Sequence, residues 1–185
     1  MNTGKVARRG ILALLVGVGL ICRAAMGMAS TSVCDRMCLE GVAEKYLAAM
    51  LTHDPSKAPI DAGTRYTENA VELTLPDGLW RTVDHIGPYR LFVTDPKQGE
   101  VGFFVKAQEN GAPVLVATRL KVVKGKITEI ESFAPRLGAT ISGGPSSTAR
   151  IDQLGDVTRK QFTTALPAGT RLSREKLARI ANSYY

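Results

Sequence analysis

The sequence predicts an α+β fold: a long N-terminal helix packed against a curved antiparallel sheet of four to six strands. Three observations carry this. Leu39, Val42, Ala43, Tyr46, Leu47, Met50 and Leu51 recur at helical spacing. Three hairpin signals, Asp95 to Gly99, Asn110-Gly111 and Lys124-Gly125, separate four runs of strand-forming residues. The longest run alternates cleanly, with Val114, Val116, Thr118, Leu120 and Val122 on one face.

The helix is expected over residues 35–52. Thr31, Ser32 or Asp35 can cap its start, and Asp54-Pro55 ends it, because proline disfavours helix in the residue before it. Residues 53–63, with His53, Pro55, Pro59 and Gly63, read as a loop with one helical turn. Residues 65–75 read as a strand, closed by the turn Pro76-Asp77-Gly78. The meander follows in four strands, at 90–94, 101–107, 114–123 and 127–133. After Pro135 the composition turns to Ser142-Gly143-Gly144-Pro145-Ser146-Ser147, a linker composition. A last helical pattern opens near Ser173 with Leu177, Ile180, Ala181 and Tyr184 on one face. This face repeats the first helix at an offset of 138, pairing Leu39 with Leu177, Val42 with Ile180, Ala43 with Ala181 and Tyr46 with Tyr184. The expected organisation is therefore a leader at 1–29, a domain at 30–135, a linker or irregular extension at 136–172, and the start of a truncated second copy at 173–185.

The leader reads as a cleavable signal peptide. Lys5, Arg8 and Arg9 precede 13 uncharged residues, Gly10 to Cys22, and small residues follow at Ala24, Ala25, Gly27 and Ala29. The run is shorter than the roughly 20 residues that span a bilayer. Cleavage after Ala29 would place the mature chain in the periplasm or outside the cell, with no stable membrane span. Arg8-Arg9 also loosely fits a twin-arginine signal, but an ordinary positive n-region is preferred.

Of 185 residues, 44% are hydrophobic and 22% charged, which suits one domain with a real core and excludes a disordered polyelectrolyte. The net charge of +7 is carried by the ends: residues 30–135 hold 12 basic and 14 acidic residues. A nucleic-acid partner needs a basic face on the folded domain and is not expected. The mature chain keeps Cys34 and Cys38, four apart and within disulfide reach if helix has begun there. Two reduced core thiols are the rival reading. Half of a metal site is a weaker one, because the chain has two histidines and no second cysteine pair. No metal is expected. No phosphate-loop, dinucleotide, nucleophile-elbow or zinc-protease pattern is present, so no cofactor is expected either.

Several segments together resemble a known family. They are Cys34-Asp35-Arg36 through Tyr46-Leu47, His53-Asp54-Pro55-Ser56, Tyr66-Thr67-Glu68-Asn69, Gly78-Leu79-Trp80, Asp95-Pro96 with Gly99-Glu100-Val101-Gly102, and Ile127-Thr128-Glu129-Ile130-Glu131. Over residues 34–135 the chain resembles the nuclear transport factor 2-like (NTF2-like, or SnoaL-like) superfamily, and within it an exported branch whose members often carry tandem copies. The resemblance implies a cone-shaped fold, a pocket in the cone, and a homodimer or a pseudo-dimer with a second copy. It implies no single reaction, because this superfold hosts isomerases, dehydratases, cyclases, hydrolases and adaptors.

Family catalytic roles do not transfer residue by residue, so the candidates are an inventory. His85 beside Asp84 could act as a general base; a surface pair in a connection is the preferred alternative. Tyr66, Glu68 and Glu72 alternate on one strand face, and an inward Glu68 could serve as acid or base. The preferred alternative turns that face to solvent, since a lone buried carboxylate is costly. Trp80, Tyr66, Tyr89 and Phe103 are candidate ligand-binding residues, with a core aromatic covering the sheet the preferred alternative for Trp80. Arg119 could clamp an anion, or lie on the exposed face with Lys121. His53 reads as a turn residue. Two functions are expected from this inventory. One is a pocket for a small, mainly apolar ligand, with isomerase, lyase or hydratase chemistry if catalytic. The other is a non-catalytic association module whose sheet face packs on a second copy.

Overall fold

Helix α1, Arg36–Leu51, forms where its apolar stripe is longest. Asp35 is its N-cap: the carboxylate accepts from the Cys38 backbone N–H at 2.9 Å, satisfying one of the donors that a helix start leaves free. Leu39, Val42, Ala43, Tyr46, Leu47, Ala49 and Met50 are buried beneath it. The computed structural model describes residues 34–136, 151 and 153–184, with Met1. The expected signal peptide, and the glycine- and serine-rich linker, lie outside the described residues.

Below α1 lies a six-stranded sheet in the order β2-β1-β6-β5-β4-β3. Its strands are β1 Ile60–Glu68, β2 Val71–Leu73, β3 Val83–Asp95, β4 Glu100–Glu109, β5 Ala112–Val123 and β6 Lys126–Phe133. The hairpin signals turn as expected. Asn110 and Gly111 have φ of 50° and 76°, and Lys124 and Gly125 have 51° and 76°, the doubly left-handed geometry of tight hairpins. The alternation in β5 also holds, since Val114, Val116, Thr118, Leu120 and Val122 are buried.

Three features depart from the sequence expectation. The strand expected at 65–75 is two strands, because Asn69 and Ala70, at φ 50° and 66°, fold β2 back on β1. That turn carries Glu72 to an exposed strand and parts it from Glu68. The β1–β6 pairing is parallel while the other four are antiparallel; such a pairing needs a long crossover, which no local turn signal announces. The segment after Gly78 forms a short helix, α2 Leu79–Thr82, and leads directly into β3, so Asp84 and His85 lie on a strand and not in a connection.

Beyond β6, residues 153–184 hold helix α3, Lys160–Thr163, a 3₁₀ turn at Ala168–Thr170, and helix α4, Arg174–Asn182. Ser173 caps α4, its hydroxyl accepting from the Lys176 N–H at 3.2 Å.

Candidate functional site

The two faces of the sheet differ. The inner face meets α1 and α2 around an aromatic cluster. Trp80 is fully buried, and its indole N–H donates to the Tyr46 hydroxyl at 3.0 Å. The two rings meet edge to face with centroids 5.1 Å apart, and Phe103 lies 6.1 Å from Tyr46. Burial pushes the Tyr46 hydroxyl well above the ordinary tyrosine range. His53, at the end of α1, donates from Nδ1 to the Trp80 carbonyl at 2.6 Å. It ties α1 to α2, a longer-range role than a turn residue.

Beside this cluster is a buried polar group. Glu68 is 4% exposed. Its Oε2 accepts from the Tyr66 hydroxyl at 2.6 Å and from the Leu79 N–H at 2.7 Å, and its Oε1 accepts from Arg136 Nη2 at 2.6 Å. Arg136 also donates to both oxygens of Glu109, at 2.7 and 2.8 Å. Burial is the main cause that raises the Tyr66 hydroxyl far above its usual value. The Arg136 guanidinium holds the Glu109 carboxyl below its ordinary value. The preferred expectation, that Tyr66 and Glu68 face solvent, is therefore corrected: both point inward. The reason is that Glu68 is not alone. Arg136, 68 residues away in sequence, supplies the compensating charge. No local signal in the sequence marks Arg136 as its partner.

The other candidates are dispersed. Asp84 is exposed and accepts from the Gly111 N–H at 2.5 Å, which fastens the β4–β5 hairpin. His85 is exposed on β3 and forms no pair with Asp84. It borders a depression shared with Lys106, Gln108, Pro113 and Ile151. Tyr89 is 6% exposed. Cys34 and Cys38 form a disulfide with Cα atoms 5.2 Å apart. Among the described residues, no group of three or more His, Cys, Asp or Glu is arranged to hold a metal ion, and no helix is long and apolar enough to cross a membrane.

The outer face is organised by register. One row across the strands runs Leu91, Phe104, Ala117, Phe133, and the next runs Val93, Gly102, Arg119, Glu131, Thr67. A third runs Asp95, Glu100, Lys121, Glu129, Arg65. Val93, Gly102, Phe104, Ala117 and Phe133 from the first two rows form an apolar band along a groove of about 670 Å³, with Arg119 and Glu131 at its side. Val93, Phe104 and Phe133 are 63%, 41% and 57% exposed there. Arg119 lies with Lys121 on this face, in place of clamping an anion in the cone. It is already paired, with Glu131 at 2.9 Å, Glu129 at 2.7 Å and Glu100 at 3.1 Å. These contacts hold the Glu129 and Glu131 carboxyls below their ordinary value. Of the candidates, Arg119 borders the groove, while Tyr66, Glu68, Trp80 and Phe103 belong to the inner cluster. The groove residues Phe104 and Phe133 were legible only as strand residues, since their outward direction depends on the register.

Comparison with known proteins adds the following. No curated protein matches the chain. Among solved structures it is similar to a de novo designed protein with a curved β-sheet (TM-score 0.46, 16% identity, covering 65% of this chain and 98% of that one). It is also similar to an NTF2-like protein of unknown function from Cytophaga hutchinsonii (0.43, 10%, 52% and 89%). A third is a protein from Kribbella flavida provisionally named a ketosteroid isomerase (0.44, 15%, 70% and 90%). At such identities these likenesses speak to no activity. The family model described as "Domain of unknown function (DUF8021)" matches residues 33–134, more than half of the chain, and the chain belongs to that family.

Proposed function

We propose that this is the association domain of an exported protein, with an NTF2-like cone whose outer sheet face packs on a second copy. The observation that carries the reading is the contrast between the faces. Tyr46, Trp80, Tyr66 and Phe103 occupy the inner side, each 2% exposed or less, whereas the outer band around Phe104 and Phe133 is bare. An exposed contiguous apolar band marks an interaction surface. The neighbouring charges support it, because Arg119 and its three carboxylate partners satisfy one another and would enter an interface already paired. Export belongs to the same proposal. The Cys34–Cys38 disulfide suits an oxidising compartment, and the intact mass of the exported protein is expected to begin at Ser30.

The test is sedimentation velocity of the full exported chain across a concentration series. The expected result is a dimer that Phe104→Asp and Phe133→Asp each convert to monomer with unchanged circular dichroism. A monomer at all concentrations, or a dimer indifferent to both substitutions, overturns the reading.

A second reading places a small apolar ligand in the same groove. Its volume of about 670 Å³ lies within the usual range of ligand sites, and the exposed Val93, Phe104 and Phe133 side chains give it an apolar lining. Native mass spectrometry decides it. A retained adduct that Phe104→Asp removes favours the ligand over the second copy.

A further inference from the structure

The segment after the sheet is fastened along one line. Lys106, on the outer face of β4, donates to the Gly155 carbonyl and to Asp156, both at 3.0 Å. Thr158 then donates from its hydroxyl to the Arg90 carbonyl of edge strand β3. Arg174, the first residue of α4, pairs with Asp95 at the far end of β3. The chain therefore climbs β3 from one end to the other and starts α4 at a corner of the outer face. The Arg174 guanidinium holds the Asp95 carboxyl below its usual value, so the anchor is an ion pair at neutral pH.

At that corner two apolar surfaces are bare. Leu177 and Ile180 fall on one stripe of α4 and are 54% and 51% exposed, and Tyr184, just beyond its C-cap, is 91% exposed. On the sheet, Val93 and Phe104 are exposed within reach of the anchor. At about 3.3 Å per residue along a strand and about 4.8 Å between strands, Val93 lies about 7 Å from Asp95, and Phe104 about 14 Å. At 1.5 Å per residue, Leu177 lies about 4.5 Å and Ile180 about 9 Å beyond Arg174, before side-chain reach is added. A helix pivoting on Asp95 and crossing the sheet diagonally thus carries its stripe over the band, leaving offsets of about 2.5 and 5 Å for the side chains to span.

We propose that α4 is a strap that closes over the outer groove of its own sheet, seating Leu177 on Val93 and Ile180 on Phe104. Where that face is the association surface, which rests on the reading above, the closed strap and the second copy compete for it. Dimerisation is then regulated by whatever holds α4 open.

The test uses the full exported chain with Val93→Cys paired with Leu177→Cys, under mild oxidant at low concentration. The control pair is Val93→Cys with Tyr184→Cys, which the closed geometry holds apart. The strap predicts a bond within one chain, shown by peptide mapping, forming at least about tenfold faster than the control. Equal rates overturn it, and so does a bond found only between chains. That last result supports the second copy as occupant. Separately, Leu177→Asp with Ile180→Asp is expected to tighten the dimer severalfold by removing the competitor. If neither this variant nor the parent dimerises, the association reading fails while the cross-link still decides the strap. A dimer that the double substitution weakens overturns the competition.

Discussion

An ionised carboxylate taken out of water loses solvation worth several kcal/mol, and it persists only where charge and hydrogen bonds replace that water. Glu68 meets this requirement with three partners from three parts of the chain: the Tyr66 hydroxyl, the Leu79 N–H and Arg136. The Leu79 contact is made at the first turn of α2, where free N–H groups favour an anion. The approach is close enough to dictate the neighbouring residue. Gly78 has φ of 63°, and a Cβ there would lie 2.5 Å from Glu68 Oε2 and 2.9 Å from Leu73 Cδ1. Gly78→Ala is therefore expected to lower stability by about 2–3 kcal/mol, through backbone strain and displacement of the carboxylate. Urea unfolding measures this. A loss within the scatter of ordinary surface substitutions would show that α2 shifts freely and that Glu68 is not held in place.

Among the elements, α1 is the one whose start is doubly determined. Asp35 caps it, and the Cys34–Cys38 disulfide bridges the residue before the cap to the first turn. The closed loop is short, so the entropic gain over the reduced unfolded chain is about 2 kcal/mol. The double substitution Cys34→Ser, Cys38→Ser is expected to lower the urea midpoint accordingly. Reductant should lower the midpoint of the parent by the same amount and leave the variant unmoved. A parent protein indifferent to reductant would mean that α1 is held by its buried stripe alone. The hairpins show the complementary case. Asn110-Gly111 and Lys124-Gly125 determine their own geometry and hence the β4–β5 and β5–β6 pairings, because both central residues must take positive φ.

At the scale of the whole molecule, charge is distributed so that three carboxylates depend on two arginines. Glu109 is held by Arg136, and Glu129 and Glu131 chiefly by Arg119. Each has a folded value depressed below the ordinary 4.5. Such a group stabilises the fold above its unfolded pKa, and that contribution disappears as pH falls through the depressed folded value. Stability should therefore decline on acidification below about pH 4.5, and Arg119→Met should make that acid limb shallower. Glu129 and Glu131 are partly solvated, so the change is modest. Urea midpoints across the acid range test it. Parallel acid limbs in parent and variant would show that the outer-face network contributes nothing to folding.

The boundaries of α1, the register of the four-stranded meander and the inward face of β5 follow from local chemistry, in which helical spacing, Asn-Gly and Lys-Gly turns and two-residue alternation act over a few residues. The role of Glu68 does not, because the charge that makes its burial affordable arrives from Arg136, 68 positions along. The parallel β1–β6 pairing is likewise a long-range product, since no local turn joins its two strands. Trp80 could be read from sequence as either core or pocket. The hydrogen bond from its indole to Tyr46 on α1 settles it in the core. Burial and pairing are properties of surfaces brought together across the chain, so they are decided when the sheet closes on α1 and not before.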